Sequence, residues 1–356
     1  MTDLLSFTAE LVDIPSVSHH EGVITDHLEP LLRAVPWLRV ERVGENLVAR
    51  TAAGVGTGPR LLLAGHTDTV PANGNERARI DGDVLWGLGS ADMKSGVAVL
   101  VELARTVERP AIPVTYVFYE CEEVEAKYNG IERLFCERPE LMVADAAILA
   151  EPTAALVEAG CQGTMRLVAT FNGERAHTAR AWLGRNAIHR LGDVLQRLSS
   201  YIPREVDIDG CRFREGVQAV IVEGGVAHNV VPDRAVLTVN HRFAPDRTPE
   251  EAEAFARGLL AEADEVEVTD MAPPAPPSLD HPLLAGLLRR VGQPPAGKLG
   301  WTDVGRFAGR GVPATNFGPG DPKLAHHADE RVARAELDRA FGVLRSLIED
   351  GVEEPA

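Results

Sequence analysis

Cysteine is scarce in this chain: four in 356 residues, Cys121, Cys136, Cys161 and Cys211. They show no paired spacing, which argues against a disulfide framework and fits a reduced, cytoplasmic setting. Long apolar runs are missing too. No stretch reaches the roughly 18 consecutive apolar residues of a membrane helix. The first residues lack a basic segment followed by an apolar core, so no signal peptide is expected. Positive charge is in deficit, with 36 Lys and Arg against 53 Asp and Glu and a formal net charge of -17. That balance argues against nucleic acid or an anionic membrane as partner. It leaves anionic substrates open, because a bound dication inverts the local field. Gly87-Leu88-Gly89 lacks the third glycine of a dinucleotide fingerprint and does not open a helix directly from a strand, which disfavours a dinucleotide-dependent oxidoreductase. Internal repeats are absent, and so is low complexity apart from the acidic end.

The length exceeds the roughly 250–300 residues at which single cores stop growing, so two domains are expected. Residues 1–162 alternate helical patterns with short apolar strands, an α/β signature. Residues 95–107 read as a buried helix. From about Thr164 the texture changes. Strands over 165–171, 218–223, 235–243 and 266–269, with helices over 186–198 and 249–263, follow the order βαββαβ. In the helix over 186–198, Ile188, Leu191, Val194, Leu195 and Leu198 share a face. That order is the ferredoxin-like arrangement. A Pro-rich linker follows at 272–278. Helices over 282–291 and 334–349 and a strand over 312–316 close the chain. The expectation is a discontinuous α/β catalytic domain (1–163 and 273–356) with an inserted ferredoxin-like domain (164–272).

Three short apolar runs each end in acids or histidine. The run 60–65 leads to His66-Thr67-Asp68. The run 113–119 leads to Glu120-Cys121-Glu122-Glu123, and 144–150 leads to Glu151-Pro152-Thr153. Runs this short read as buried parallel strands, and open α/β sheets keep their chemistry at the strands' carboxyl ends. Asp92 and His326 complete the set. Zinc takes imidazole nitrogen and carboxylate oxygen. If Asp92 bridges two zinc ions, His66 and Glu151 complete one site and His326 and Glu123 the other. Two dications then meet three carboxylates, and a hydroxide brings the balance to neutral. Glu122 is left to face the water as general base. Asp68 is placed to accept a hydrogen bond from His66 and fix its tautomer. Cys121 is expected on the strand, pointing away from Glu122 as a buried bystander. Gly318–Asp321 reads as a turn.

In combination, Gly65–Pro71, Gly89–Gly96, Glu122-Glu123, Glu151-Pro152-Thr153 and His326-x-x-Asp329-Glu330 resemble the M20 family of zinc-dependent amidohydrolases and peptidases over nearly the whole chain. The resemblance implies the metal assignment above, with cobalt as a substitute for zinc, and its motif spacing favours His326 over His327. It implies a cis peptide after Asp92. It also implies that the inserted domain is a lid that dimerises, and that His177 reaches the partner chain's site to stabilise the oxyanion. Stretches 158–164, 175–182, 207–216, 300–303 and 316–321 are most similar to the branch that hydrolyses N-succinyl-LL-2,6-diaminopimelate to succinate and LL-2,6-diaminopimelate. That substrate carries three carboxylates and calls for arginine forks. Arg242 and Asn229 match family positions in the lid, and Arg180, Arg185 and Arg306 are further candidates. Another N-acyl amino-acid deacylase, of the acetylornithine deacetylase type, or a peptidase would carry the same metal ligands.

Overall fold

The computed structural model describes residues 3–52 and 58–352. It divides into two compact units, Met1–Ala159 with Pro277–Ala296 and Arg306–Ala356, and Gly160–Pro276 with Gly297–Gly305.

In the first unit the strands Val114–Tyr119, Leu61–His66, Ala146–Leu149 and Ala314–Asn316 lie side by side in that order and run parallel. Every residue in them is buried. This is why the runs read as apolar without alternation: both sheet faces are covered. The register levels the strand ends, with His66 opposite Tyr119 and Ala64 opposite Leu149. Glu151, two residues past Leu149, therefore falls level with His66. The helix Lys94–Thr106 is buried from Lys94 through Ala104, as its apolar sequence requires. The closing helix Arg334–Asp350 buries Leu337, Phe341, Leu344 and Leu347.

The second unit has a four-stranded antiparallel sheet in the order Gly216–Gly224, Arg234–Phe243, Gly163–Asn172, Glu265–Ala272. With the helices Leu191–Ser199 and Pro249–Leu259 this is the ferredoxin-like arrangement. Along Gly163–Asn172, Met165, Leu167, Ala169 and Phe171 point into the core. A capping box between Thr248 and Glu251 starts the second helix where Pro249 takes its first position. The edge strand Gly216–Gly224 exposes Val220, Ile221 and Val222 by about half.

Three features of the second unit differ from the sequence reading. The helix expected over 186–198 starts only at Leu191. The Asn186 side chain accepts the N–H groups of Ile188 and His189, and this local turn competes with helix. Ile188 is consequently outside the helix and 39% exposed. A hairpin, Glu205–Ile208 with Cys211–Arg214, is inserted between the first helix and the edge strand. Its signal, Asp209-Gly210 at the turn, is visible in the sequence. Residues 297–305 group with the second unit, not with the 273–356 segment. There Gln162 binds the carbonyls of Lys298 and Leu299, and Trp301 Nε1 donates to Pro273 at 3.1 Å.

His241 is fully buried between Phe243 and Phe255, and neither ring nitrogen has a hydrogen-bond partner. Burial is the main reason its pKa falls to about 4; Glu215 opposes the shift and Arg247 adds to it. Between pH about 6.5 and 4 the unfolded chain binds a proton here that the folded chain refuses. The second unit should therefore lose stability across that window as pH falls, by at most about 3 kcal/mol. A His241→Leu variant should show a flatter pH dependence of chemical denaturation between pH 7 and 4. An unchanged slope would remove His241 from the account.

Candidate metal centre and active site

The strand ends deliver the donors, and the loops beyond them aim the atoms. His66 closes its strand fully buried, with Nε2 3.1 Å from Asp92 Oδ1. His326 Nε2 lies 2.7 Å from Glu123 Oε1 and 3.7 Å from Asp92 Oδ2. The two oxygens of Asp92 thus face two different imidazoles. Two donor groups share Asp92: His66 with Asp92 and Glu151, and Asp92 with Glu123 and His326. A third joins His66 with Glu122 and Glu123. In each group the ligand atoms lie within 4.8 Å of one another. His327 stays outside these groups, exposed, its Nδ1 accepting the Asp329 N–H at 3.2 Å. The Asp92–Met93 peptide is cis.

The donor set fits a pair of dications. It offers imidazole nitrogen and carboxylate oxygen, the preferred ligands of zinc. Crowded carboxylates also need compensating positive charge. Burial opposes a proton on His66, but the hydrogen bonds and charges of Asp68 and Asp92 outweigh it and raise its pKa well above the ordinary value. The hydrogen bond to Glu123 is the main cause that lifts His326 to about 9, with Asp92 adding to it. A bound dication would replace those protons, because ligating imidazole is neutral.

Asp68 does more than orient a histidine. His66 Nδ1 is 3.0 Å from the Asp68 backbone carbonyl and 3.4 Å from its carboxylate. The carboxylate mainly accepts the N–H groups of Glu122 and Glu123, at 3.0 and 3.1 Å, and the Ser18 hydroxyl at 2.7 Å. It therefore sets the turn that presents both glutamates. Ser18 carries no motif in the sequence and was missed.

Cys121 is not on the strand. It follows it at φ 56, with its N–H and thiol directed at Glu21 Oε1. Burial pushes the thiol up to about 12, so it stays protonated and inert.

The Gly318–Asp321 turn is also more than a connection. Thr153 Oγ1 donates to the Gly318 carbonyl and accepts the Gly318 N–H, and the N–H groups of Ala154 and Ala155 bind the carbonyls of Gly320 and Gly318. A Cβ on Gly318 would sit 2.3 Å from the Ala150 carbonyl oxygen. One on Gly320, at φ 88, would sit 2.8 Å from Ala91 Cα. The turn is wedged between the segments that carry Glu151 and Asp92.

The lid candidates lie in the second unit. His177 is exposed, its Nδ1 accepting the Ala179 N–H at 3.0 Å, and Thr178 N–H binds the Asn229 carbonyl. His177 and Asn229 thus stand on adjoining segments. Arg180 and Arg185 are exposed. Arg242 pairs in the sheet opposite Gly216 and Thr164, and burial lowers its pKa. Arg306 belongs to the first unit and is tied to Glu132 at 3.2 Å, alongside Arg310.

The family model described as Peptidase family M20/M25/M40 matches residues 62–350. The chain belongs to this peptidase family. It is a hydrolase. A Mycobacterium tuberculosis protein, provisionally named a succinyl-diaminopimelate desuccinylase, is 49% identical over 97% of this chain and 98% of its own. The Corynebacterium glutamicum succinyl-diaminopimelate desuccinylase is 41% identical over 98% and 96%. The crystal structure of aminopeptidase PepT from Bacillus cereus superposes with a TM-score of 0.78 at 19% identity, covering 99% of this chain and 98% of that one. Among the described residues, no helix is long and apolar enough to cross a membrane.

A Gly320→Ala variant should lose about 1–3 kcal/mol of stability through its backbone strain and should also bind zinc more weakly. Gly311→Ala, also at positive φ but with nothing within 4 Å of the added carbon, should lose stability without losing zinc. Thermal melting and zinc titration measure both. Equal zinc affinity in the two variants would show that the turn does not shape the centre.

Proposed function

We propose that this hydrolase removes the succinyl group from N-succinyl-LL-2,6-diaminopimelate, releasing succinate and LL-2,6-diaminopimelate for lysine and peptidoglycan synthesis. The observation that carries the chemistry is the pair of donor groups sharing Asp92, with Glu122 beside the donor Glu123. The names of the two relatives above supply the substrate. His66, Asp92 and Glu151 would hold one zinc ion and Asp92, Glu123 and His326 the other, with cobalt as a substitute. When bound, the ions would polarise the scissile carbonyl and lower the pKa of the attacking water. Glu122 takes the proton from that water and returns it to the leaving amine. Asp68 holds the turn that aims Glu122 and fixes His66. Arg242, Arg180 and Asn229 are the candidates for the substrate's carboxylates and amide.

We further propose a cytoplasmic homodimer joined through the second unit, with His177 serving the partner's site as an oxyanion donor. The half-exposed apolar edge strand Gly216–Gly224 supports this, since such an edge invites a second copy.

A chelator should abolish activity and zinc should restore it. Glu122→Gln should keep its zinc while turnover falls roughly 10²–10⁴-fold. Near-normal turnover would move the base elsewhere. The substrate is tested with N-succinyl and N-acetyl diamino acids and dipeptides, following amine release. Preference for an N-acetyl amino acid or a dipeptide would favour a deacylase or peptidase instead.

Mixing His177→Ala with Glu122→Gln chains, each nearly inactive, should recover roughly a quarter of wild-type activity per chain. Random exchange makes half the dimers hybrid, and each hybrid has one complete site. Full exchange without recovery would mean that His177 does not act across the dimer.

A further inference from the structure

Glu330 is 1% exposed, and its carboxylate is wholly engaged by one loop. Oε2 accepts the Gly89 N–H at 3.1 Å, and Oε1 accepts the N–H groups of Ala91 and Asp92, both at 2.9 Å. The backbone of Glu330 is tied in as well. Its carbonyl accepts the Gly87 N–H, and its N–H donates to the His327 carbonyl, each at 3.1 Å. Just beyond, Arg331–Ala333 pairs with Val84–Trp86, Arg331 opposite Trp86. One residue therefore joins the loop that ends on Asp92 to the loop that carries His326.

The physical consequence concerns direction. A buried carboxylate needs donors, and three amide N–H groups supply them here. Fixing the Asp92 N–H fixes the peptide plane from which the Asp92 side chain departs. Asp92 turns Oδ1 toward His66 and Oδ2 toward His326. A modest rotation of that plane would take one oxygen off its target. Glu330 belongs to none of the donor groups found among the described residues.

We propose that Glu330 is the positioning residue of the shared aspartate: its carboxylate clamps loop 89–92 so that Asp92 faces both donor groups, and it binds no metal itself. This rests on the metal reading above only in assigning Asp92 to two ions.

The test uses full-length Glu330→Ala and Glu330→Gln, with Asp338→Ala as an exposed control on the closing helix. Thermal melting confirms folding. The first readout is amide hydrogen exchange of metal-free protein. Protection over 89–92 should fall at least about tenfold in Glu330→Ala, the loss of one or two hydrogen bonds' worth of order. It should fall less in Glu330→Gln, whose amide oxygen still accepts Ala91 and Asp92 but whose NH2 confronts the Gly89 N–H. The second readout is zinc affinity against a chelating dye. It should weaken about 10–100-fold in Glu330→Ala, as for partners that orient ligands, while Asp338→Ala stays at wild type. At saturating zinc, kcat should fall with KM nearly unchanged. If Glu330→Ala does not fold, Glu330→Gln decides alone. Wild-type exchange in a folded variant overturns the proposal, and so does loosened exchange with wild-type zinc affinity. A wild-type chain that binds no zinc overturns the metal reading instead, and the exchange result then decides whether Glu330 holds the loop.

Discussion

Three carboxylates, Asp92, Glu123 and Glu151, converge with two imidazoles beyond the carboxyl ends of the buried parallel strands of a mixed sheet. The rest of the first unit is organised around that crowding. Like charges this close repel one another. The two imidazoles carry part of the compensation, both with raised pKa values, and a pair of dications would carry it more completely. The charge that makes the site costly to fold is the same charge that gives it affinity for metal.

Holding such a cluster requires loops with little freedom. Anionic and hydroxyl side chains grip them by the backbone: Asp68 takes the amides of Glu122 and Glu123, Glu330 those of Gly89, Ala91 and Asp92, and Thr153 that of Gly318. Backbone strain gathers in the same places. Among the described residues, the non-glycine residues at positive φ are His19, Cys121, Ala154, Ala155, His326 and Asp209. All but Asp209, which turns a hairpin, stand on segments that carry or flank the donors. Strain concentrated at a site is tolerated where the surroundings over-determine it, and here the side-chain grips do so.

Much of the fold was legible because its signals are local. The runs before His66, Glu120 and Glu151 read as buried strands, since both faces of the sheet are covered. The βαββαβ order of the second unit followed from alternating period-two and helical patterns. Reading failed where a short-range competitor or a distant partner decided. Asn186 capped a turn and delayed a helix that the apolar spacing of Ile188 and Leu191 had extended backward. Residues 297–305 have no period of their own, and their grouping depends on Gln162 and Pro273, far earlier in the chain.

By itself, the sequence determined which residue types stand at the ends of which strands, and hence the donor chemistry. Those facts depend on hydrophobic runs and on the side chains that follow them within a few residues. Only the tertiary structure decided how the donors are aimed. It gave the Asp68 carboxylate chiefly to two amides, made Glu330 a clamp, and turned Gly318–Asp321 into a wedge. Each of these is a contact between a side chain and a peptide group 50 or more residues away. Backbone amides are identical at every position, so no sequence pattern marks the one that will be gripped.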